Sequence, residues 1–217
     1  MNIDILCTDS AHPINNYLIK WISRQDSIHN IQLLRNKAEL SCGDLLLLIS
    51  CHELIDKKTR SLYKSVLVIH ASDLPNGRGW SPHVWQILEG KNKITVTLLD
   101  AEDELDSGSI WAQEIMELEG HELLREIDEK LFSIELKLMD YALENWNKIE
   151  PKKQDDKLSN YYPRRTPDDS CLDPEKSLSE QFDLLRVVDS KRYPAFFDFR
   201  GHRYYLNLSK VAPHEKK

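Results

Sequence analysis

The sequence predicts an α/β protein with an open, mostly parallel, Rossmann-like sheet and helices on both faces. Residues 45–49 and 66–69 are unbroken aliphatic runs, typical of strands buried on both faces. A helical apolar pattern at 14–23 follows a first strand at 3–7, as in a parallel sheet with helical crossovers. A long amphipathic pattern at 123–146 predicts a helix packed on the sheet.

The remaining elements follow from local periodicity. Residues 36–40 stay ambiguous. Ser81 followed by Pro82 predicts a helix start, with Ser81 as the N-cap and proline at the first helical position. The other predicted elements are strand 28–34, helix 55–63, helix 81–89, strand 95–99 and strand 109–114.

A change in amino-acid composition near Pro151 predicts a catalytic domain at 1–150 and a C-terminal appendage at 151–217. Pro151 should end the long helix, and 152–157 form a charged linker. Ser177 and Glu180 form a capping-box pattern, which predicts a helix to about residue 188. Aromatic residues within 194–206 predict a β-hairpin that either binds a sugar or base or makes a homodimer contact.

Composition narrows the class of protein. The 217 residues carry a formal net charge of −7, which argues against a nucleic-acid surface. No apolar run is long enough to cross a membrane, so we expect a soluble cytoplasmic protein. The four cysteines lack metal-ligand spacing, which predicts reduced, mostly buried thiols and no metal site. With seven glycines and no Gly-x-Gly-x-x-Gly after the first strand, dinucleotide binding is also disfavoured.

The candidate site centres on His70, which follows an apolar strand at the edge where open α/β sheets bind ligands. Pro75, Gly77 and Gly79 predict an irregular loop after it. We expect Asp106 to meet His70 in one cleft. The alternative is that His70 is a hydrogen-bonded structural residue.

Several motifs resemble the formyltransferases that use 10-formyltetrahydrofolate. They are His-Ala-Ser-Asp-Leu-Pro from His70, Gly-Arg-Gly-Trp-Ser-Pro from Gly77, Trp-Gln-Ile-Leu-Glu-Gly-Lys-Asn from Trp85, Leu-Asp-Ser-Gly from Leu105 and Tyr-Pro-Arg-Arg-Thr-Pro from Tyr162. The resemblance covers roughly residues 43–206. Within that family the motifs are most similar to enzymes that formylate nucleotide-linked amino sugars, especially of the pseudaminic-acid type, and to the formylation domain of linear gramicidin synthetase.

The resemblance implies catalytic roles for His70 and Asp106, and the third catalytic position, an asparagine in the family, is Val68 here. It also implies that two loops hold the folate, with ordinary turns and solvated acids as the alternatives. Their residues are Cys51, His52, Glu53, Leu54, Asp100, Ala101, Glu102 and Leu105.

For substrate binding we expect the residues Ser72, Arg78, Trp80, Arg164 and Arg165. Guanidinium groups fit phosphate oxygens, so Arg164 and Arg165 suit the diphosphate of a nucleotide sugar. The alternative is that both arginines pair with Asp168, Asp169 or Asp173 and fasten the tail.

Three functions follow as hypotheses. The first is an N-formyltransferase that moves a formyl group from 10-formyltetrahydrofolate to a nucleotide-linked amino sugar. The second is a formyltransferase for another amine, an aminoacyl carrier or tRNA. The third is a folate-binding protein with weakened catalysis, because Val68 cannot donate a hydrogen bond.

Overall fold

The computed structural model describes residues 1–211, apart from the side chain of Asp156. The strands are β1 Asn2–Leu6, β2 Asn30–Leu34, β3 Gly43–Leu48, β4 Tyr63–His70, β5 Arg78–Gly79, β6 Lys93–Asp100, β7 Ile110–Glu117, β8 Tyr161–Tyr162, β9 Ala195–Phe199 and β10 His202–Leu206. The helices are α1 Asn15–Gln25, α2 Lys57–Arg60, α3 Pro82–Leu88, α4 Leu124–Asn145 and α5 Phe182–Arg186. Three short 3-10 helices lie at Lys37–Glu39, Asp156–Leu158 and Pro167–Ser170.

Six strands form the central sheet in the order β2-β1-β3-β4-β6-β7. Strands β1 to β4 run parallel, whereas β6 is antiparallel to β4 and β7 is antiparallel to β6. The prediction of a mostly parallel sheet is confirmed. The antiparallel β6 returns alongside β4, so the loop after β6 begins beside the middle of β4 rather than at the edge that carries His70.

The leucine run in β3 is explained by the two faces of the sheet. Leu45 and Leu47 lie in the larger core cluster, with residues of α1 and α4, and Leu46 and Leu48 lie in a second cluster on the opposite face. Successive side chains of a strand point to opposite faces, so a strand covered on both sides needs apolar residues throughout. Trp21 of α1 is fully buried and donates a hydrogen bond to Asp140 of α4 at 2.7 Å.

Two predicted helices are shorter than expected. The helix predicted at 55–63 is only α2, because Tyr63 already begins β4, where it pairs with Gly43 and donates a hydrogen bond to the buried Asp4. The capping hydrogen bonds between Ser177 and Glu180 form, but helix α5 begins only at Phe182. Ser81 precedes α3 as predicted, yet its backbone is left-handed and its side chain makes no capping hydrogen bond.

The C-terminal part of the chain returns to the body of the protein. The long helix α4 ends at Asn145, before Pro151, and Lys152 forms a backbone bridge with Ile110 at the start of β7. The predicted linker at 152–157 is therefore attached to the sheet at Lys152, whereas Lys153, Asp155 and Lys157 are exposed. The hairpin of β9 and β10 is confirmed. The division of the chain at residue 150 stays a prediction, and residues 212–217 lie outside the described part.

Three further expectations concern the burial of the cysteines, membrane-spanning helices and metal sites. All four cysteines are free, but only Cys7 is buried, and Cys42 and Cys171 are exposed, so the prediction of mostly buried thiols is wrong. Within residues 1–211, no helix is both long enough and apolar enough to cross a membrane. No group of three or more His, Cys, Asp or Glu side chains comes together as a metal site in the same residues.

Candidate active site

His70 is the last residue of β4, at the carboxyl edge of the parallel strands. Its ring nitrogen Nε2 lies 2.8 Å from the backbone oxygen of Gly77. A carbonyl oxygen only accepts hydrogen bonds, so Nε2 carries the hydrogen and Nδ1 is the nitrogen left to gain or lose a proton. The side chain is 8% exposed, so this arrangement is shielded from bulk water.

Asp106 faces His70 from the loop between β6 and β7. Its Oδ1 lies 3.6 Å from Nδ1 of His70, and its side chain is 6% exposed. Its Oδ2 accepts a hydrogen bond from the backbone N–H of Gly79 at 2.9 Å. The structure therefore brings together the two residues that the sequence predicts as a pair, one at a strand end and one on a distant loop.

The Leu-Asp-Ser-Gly sequence suits this loop for a steric reason. Asp106 has a φ of 55°, the left-handed region that side chains other than glycine rarely adopt. Two residues later, a Cβ on Gly108 would collide with the backbone carbonyl of Asp100. Glycine at 108 thus lets the loop fold back against the end of β6, and that path carries Asp106 to His70.

The loop at 77–79 joins the two groups. Gly77 accepts the hydrogen bond from His70, and Gly79 donates one to Asp106. Both glycines have positive φ, 79° and 101°, and a Cβ on Gly79 would collide with the backbone oxygen of Tyr162. The irregular loop predicted from its glycines is therefore the common support of both side chains.

The predicted folate loops approach each other over the second core cluster. Cys51 from the loop after β3 and Ala101 from the loop after β6 both pack on this cluster, as does Val68. Val68 and His70 are two residues apart on β4, so they face the same side of the sheet. Cys51, Val68 and Ala101 thus form an apolar surface on the face that carries His70.

The other predicted folate residues belong to the same two loops or, for Asp100, to the end of β6. The backbone N–H of His52 donates a hydrogen bond to the hydroxyl of Thr8, and the carboxylate of Glu53 accepts one from the backbone N–H of Lys37. The apolar side chains of Leu54 and Leu105 are exposed. Asp100 accepts a hydrogen bond from Trp111, and burial raises the pKa of Asp100. Glu102 lies 3.9 Å from the guanidinium of Arg60.

Burial also sets the state of neighbouring groups. Burial raises the pKa of Cys51 to about 11, so this thiol stays protonated and is a poor nucleophile at neutral pH. Burial lowers the pKa of His12 to about 4, so His12 is neutral at neutral pH. Neither side chain adds charge beside the site.

The five predicted substrate residues divide into two groups. Ser72, Arg78 and Arg165 are buried, at 1%, 1% and 8% exposure. Arg78 contacts Glu104 and Gln154, and Arg165 donates a hydrogen bond to Ser170 at 3.1 Å. These contacts hold Arg78 and Arg165 within the fold, and the substrate-binding role of the three buried residues stays a prediction. For Arg165 the predicted alternative, fastening the tail, fits better, although its partners are a hydroxyl and a backbone oxygen rather than a carboxylate.

Trp80 and Arg164 remain at the mouth of the site. The guanidinium of Arg164 lies 4.9 Å from the ring centroid of Trp80, and the ring of His52 lies 5.5 Å from the same indole. A cavity of about 680 Å³ opens beside them. It is lined by Asp9, His52, Arg164, Arg165, Thr166, Pro167, Arg192 and Tyr193.

Sequence reasoning missed three polar residues around the site. Gln154 donates hydrogen bonds to the backbone oxygens of Asp106 and Gly108, at 2.8 and 2.7 Å. Asn160 accepts a hydrogen bond from the backbone of Gly77. Arg192 lines the cavity. Gln154 and Arg192 stand among charged residues, and Asn160 stands between a serine and two tyrosines, so nothing in the local pattern marks any of the three as part of a site.

Comparison with known proteins identifies the class. The model of the family described as formyl transferase matches residues 9–143, more than half of the chain. The chain therefore belongs to the formyl transferase family.

One curated relative is methionyl-tRNA formyltransferase of Caldicellulosiruptor saccharolyticus. It is 26% identical over 171 residues, which cover 78% of this chain and 54% of that protein. The chain thus spans about half the length of this relative.

Three solved structures share the fold. Methionyl-tRNA formyltransferase from Clostridium thermocellum has a TM-score of 0.82 at 24% identity and covers 99% of this chain and 95% of its own. HypX from Aquifex aeolicus, solved with tetrahydrofolic acid, has a TM-score of 0.76 at 19% identity and covers 95% and 37%. A sugar N-formyltransferase from Shewanella sp. has a TM-score of 0.73 at 17% identity and covers 98% and 99%. At these identities the three structures establish the fold alone.

Proposed function

We propose that this protein transfers a formyl group from 10-formyltetrahydrofolate to the amino group of a nucleotide-linked amino sugar. The observation that carries the proposal is the shielded pair of His70 and Asp106, held 3.6 Å apart at the carboxyl edge of the sheet. Membership of the formyl transferase family supports the reaction. The arginines at the mouth of the site support the kind of acceptor.

In the proposed reaction, the amine attacks the formyl carbon and an oxyanion forms. The intermediate then breaks the bond to the folate nitrogen, which leaves as tetrahydrofolate after it takes up a proton. Nδ1 of His70 accepts the proton that the amine loses and then donates it to the leaving nitrogen. Such general acid and base catalysis typically raises the rate roughly a hundredfold to ten-thousandfold. The 3.6 Å gap to Asp106 exceeds a hydrogen bond, so a water molecule or the amine itself would bridge the two groups.

Val68 changes how the oxyanion is stabilised. An amide donor at such a position is typically worth about 3 kcal/mol, and valine supplies no donor. The Nε2 hydrogen of His70 is already bonded to Gly77. The proton available to the oxyanion is then the one on Nδ1, so His70 would act both as proton carrier and as electrostatic stabiliser.

We expect the apolar surface around Val68 to receive the flat pterin ring of the donor. Cys51, Val68 and Ala101 supply apolar contacts there, and we expect the backbones of the two flanking loops to supply hydrogen-bonding groups. An apolar cavity with a few placed polar groups is the usual form of a small-molecule site. HypX, which shares this fold, was solved with tetrahydrofolic acid, and this agrees with a folate donor here.

The cavity at the mouth suits the anionic part of the acceptor. The whole chain carries a net charge of −7, yet this cavity is lined by three arginines and one aspartate, Asp9, and Arg165 is already bonded to Ser170. Guanidinium groups bind phosphate oxygens through paired hydrogen bonds. Arg164 lies over Trp80, and Trp80 follows directly on Gly79, the partner of Asp106, so a diphosphate bound by Arg164 would lie near the loop that holds the catalytic pair.

The test is a formylation assay with 10-formyltetrahydrofolate and a panel of UDP- and dTDP-linked amino sugars. Mass spectrometry should show a formylated product with at least one sugar. The matched control is His70→Gln, which keeps an N–H donor for Gly77 but cannot exchange protons. Folate binding without transfer to any amine would support instead a binding protein with weakened catalysis, the alternative that Val68 motivates.

A second candidate is formylation of methionyl-tRNA. The identity of 26% to a methionyl-tRNA formyltransferase favours it. The net charge of −7 disfavours it, because tRNA-binding surfaces are usually basic. Including methionyl-tRNA and an aminoacyl carrier in the same assay decides the matter, since turnover with either one and with no sugar would replace the leading proposal.

A further inference from the structure

The spacing of the two site residues is set by a third element. His70 donates a hydrogen bond to Gly77, and Asp106 accepts one from Gly79. Both side chains are therefore held by the same three-residue loop, 77–79. A displacement of this loop would move the two groups relative to each other. Misplacement of reacting groups by about 1 Å can cost a hundredfold in rate.

That loop is in turn fastened by the chain at 160–162. The side chain of Asn160 accepts a hydrogen bond from the N–H of Gly77, and its backbone oxygen accepts one from Arg78 at 3.1 Å. Strands β5 and β8 then pair in parallel, with Arg78 opposite Tyr161. One residue further, Trp80 donates to the backbone oxygen of Tyr162 at 3.1 Å. Asn160 is the side chain of this stretch that bonds directly to Gly77, the partner of His70.

The other half of the pair is fastened by Gln154. Its side-chain amide donates to the backbone oxygens of Asp106 and Gly108, and its oxygen accepts from Arg78 at 3.0 Å. Asp106 has a left-handed backbone, which is disfavoured without such support. Gln154 therefore ties the loop of Asp106 to Arg78, and Arg78 lies between Gly77 and Gly79.

We propose that Gln154 and Asn160 are positioning residues that together fix the separation of His70 and Asp106. Both lie beyond residue 143, where the match to the family model ends. The segment at 154–160 acts as a clamp, with Gln154 holding the carboxylate loop and Asn160 holding the partner of the imidazole. The catalytic consequence rests on the proposed formyl transfer, whereas the geometric consequence does not.

Kinetics test the catalytic consequence. Asn160→Ala removes the acceptor for Gly77, and Gln154→Met removes the amide at nearly constant size. Each should lower kcat at least roughly tenfold and change KM less than about twofold. Asn160→Asp keeps an oxygen acceptor and should retain kcat within about twofold. Lys153→Ala, at an exposed residue directly before this segment, is the matched control and should behave as wild type.

A merely structural role gives a different result. The melting temperature would then fall in Asn160→Ala and Gln154→Met while kcat per folded molecule stayed at the wild-type value. Failure of Asn160→Asp to restore kcat would also overturn the proposal. Measuring the melting temperature of every variant keeps loss of folding apart from loss of positioning.

Nitrogen-15 NMR of labelled histidine tests the geometry without any substrate. The Nε2 hydrogen of His70 should exchange slowly with water in the wild type, and the missing signal of His70→Gln assigns it. Exchange should become at least roughly tenfold faster in Asn160→Ala and return in Asn160→Asp. Unchanged exchange in Asn160→Ala would overturn the clamp. If no amine is formylated but the exchange pattern holds, the proposed function fails and the clamp stands.

Discussion

Two buried carboxylates, Asp106 and Glu122, show how differently this protein uses the same chemical group. Their side chains are 6% and 2% exposed. Glu122 accepts hydrogen bonds from the backbone of Glu119 and Gly120 and from Lys130 at 2.6 Å. Asp106 accepts one from Gly79, and its other oxygen faces Nδ1 of His70 across 3.6 Å.

This difference in hydrogen-bonding partners distinguishes a structural carboxylate, Glu122, from a proposed catalytic one, Asp106. A carboxylate surrounded by donors gains stability from its charge but has no capacity left for a reactant. A carboxylate held by one oxygen, with the other facing a titratable ring across a gap, can take part in proton transfer through a bridging group. Burial alone therefore does not mark a functional carboxylate, and the partners of each oxygen do.

The largest expected effect comes from breaking the reactive pair. His70→Gln should lower kcat by about a thousandfold, within the range for loss of a general acid and base. Asp106→Asn keeps the acceptor for Gly79 and loses the charge, so its kcat should fall less, by about a hundredfold. The measurement is steady-state kinetics with the amine identified in the formylation assay, with circular dichroism to verify folding.

A result that contradicts this prediction is equally plain. Near-normal kcat in both folded variants would remove His70 and Asp106 from the mechanism, whatever their distance in the structure.

The sequence predicts the part of this site that depends on local pattern. The aliphatic runs of β3 and β4 predict strands buried on both faces, and His70 is the last residue of such a strand. The Leu-Asp-Ser-Gly motif, together with the family resemblance, points to Asp106. The pairing of the two residues could then be predicted because both belong to one family pattern.

What depends on tertiary contacts could not be predicted. Tyr63 looked helical in its local context, but its pairing with Gly43 draws it into β4. Arg164 and Arg165 are adjacent and have the same chemistry, yet one lies over Trp80 at the surface and the other is buried against Ser170. Gln154 stands among charged residues, and only the folded chain shows that it reaches the loop of Asp106.

The second prediction uses Glu122 as the contrasting carboxylate. Burial raises its pKa, but hydrogen bonds from Lys130 and from the backbone of Glu119 outweigh burial and leave the pKa at about 2. This lies below the ordinary glutamate value of about 4.3, so the carboxylate stabilises the fold fully above about pH 5. That contribution is lost as the pH falls through the folded-state pKa toward 2.

Glu122→Gln should therefore lower the free energy of unfolding by up to about 3 kcal/mol at pH 7, with a difference that shrinks below about pH 4. Urea unfolding at several pH values measures it. The kcat per folded molecule should stay at the wild-type value, the opposite of Asp106→Asn. A loss of kcat in folded Glu122→Gln would mean that the contrast between the two carboxylates is wrong.

The smallest expected effect concerns two arginines, one beside Glu122 and one on the wall of the cavity. Arg186, beside Glu122, is 1% exposed and contacts Asp183 at 2.7 Å, so it is committed to the fold. Arg192 is 48% exposed and lies 3.5 Å from Asp9 on the wall of the cavity, a weak pair that an anionic substrate can replace. Arg192→Ala should raise the KM for a nucleotide sugar roughly fivefold, about 1 kcal/mol, and leave kcat unchanged.

The matched variant is Asp9→Asn, which keeps the acceptor for the backbone of Ala11 but removes the charge that competes for Arg192. Its KM should fall below the wild-type value, and both KM changes should shrink as ionic strength rises, because exposed charges are screened. If Arg192→Ala alters kcat instead of KM, then the cavity wall acts on the chemistry. The assignment of catalysis to the buried pair of His70 and Asp106, and of substrate binding alone to the exposed Arg192, would then be wrong.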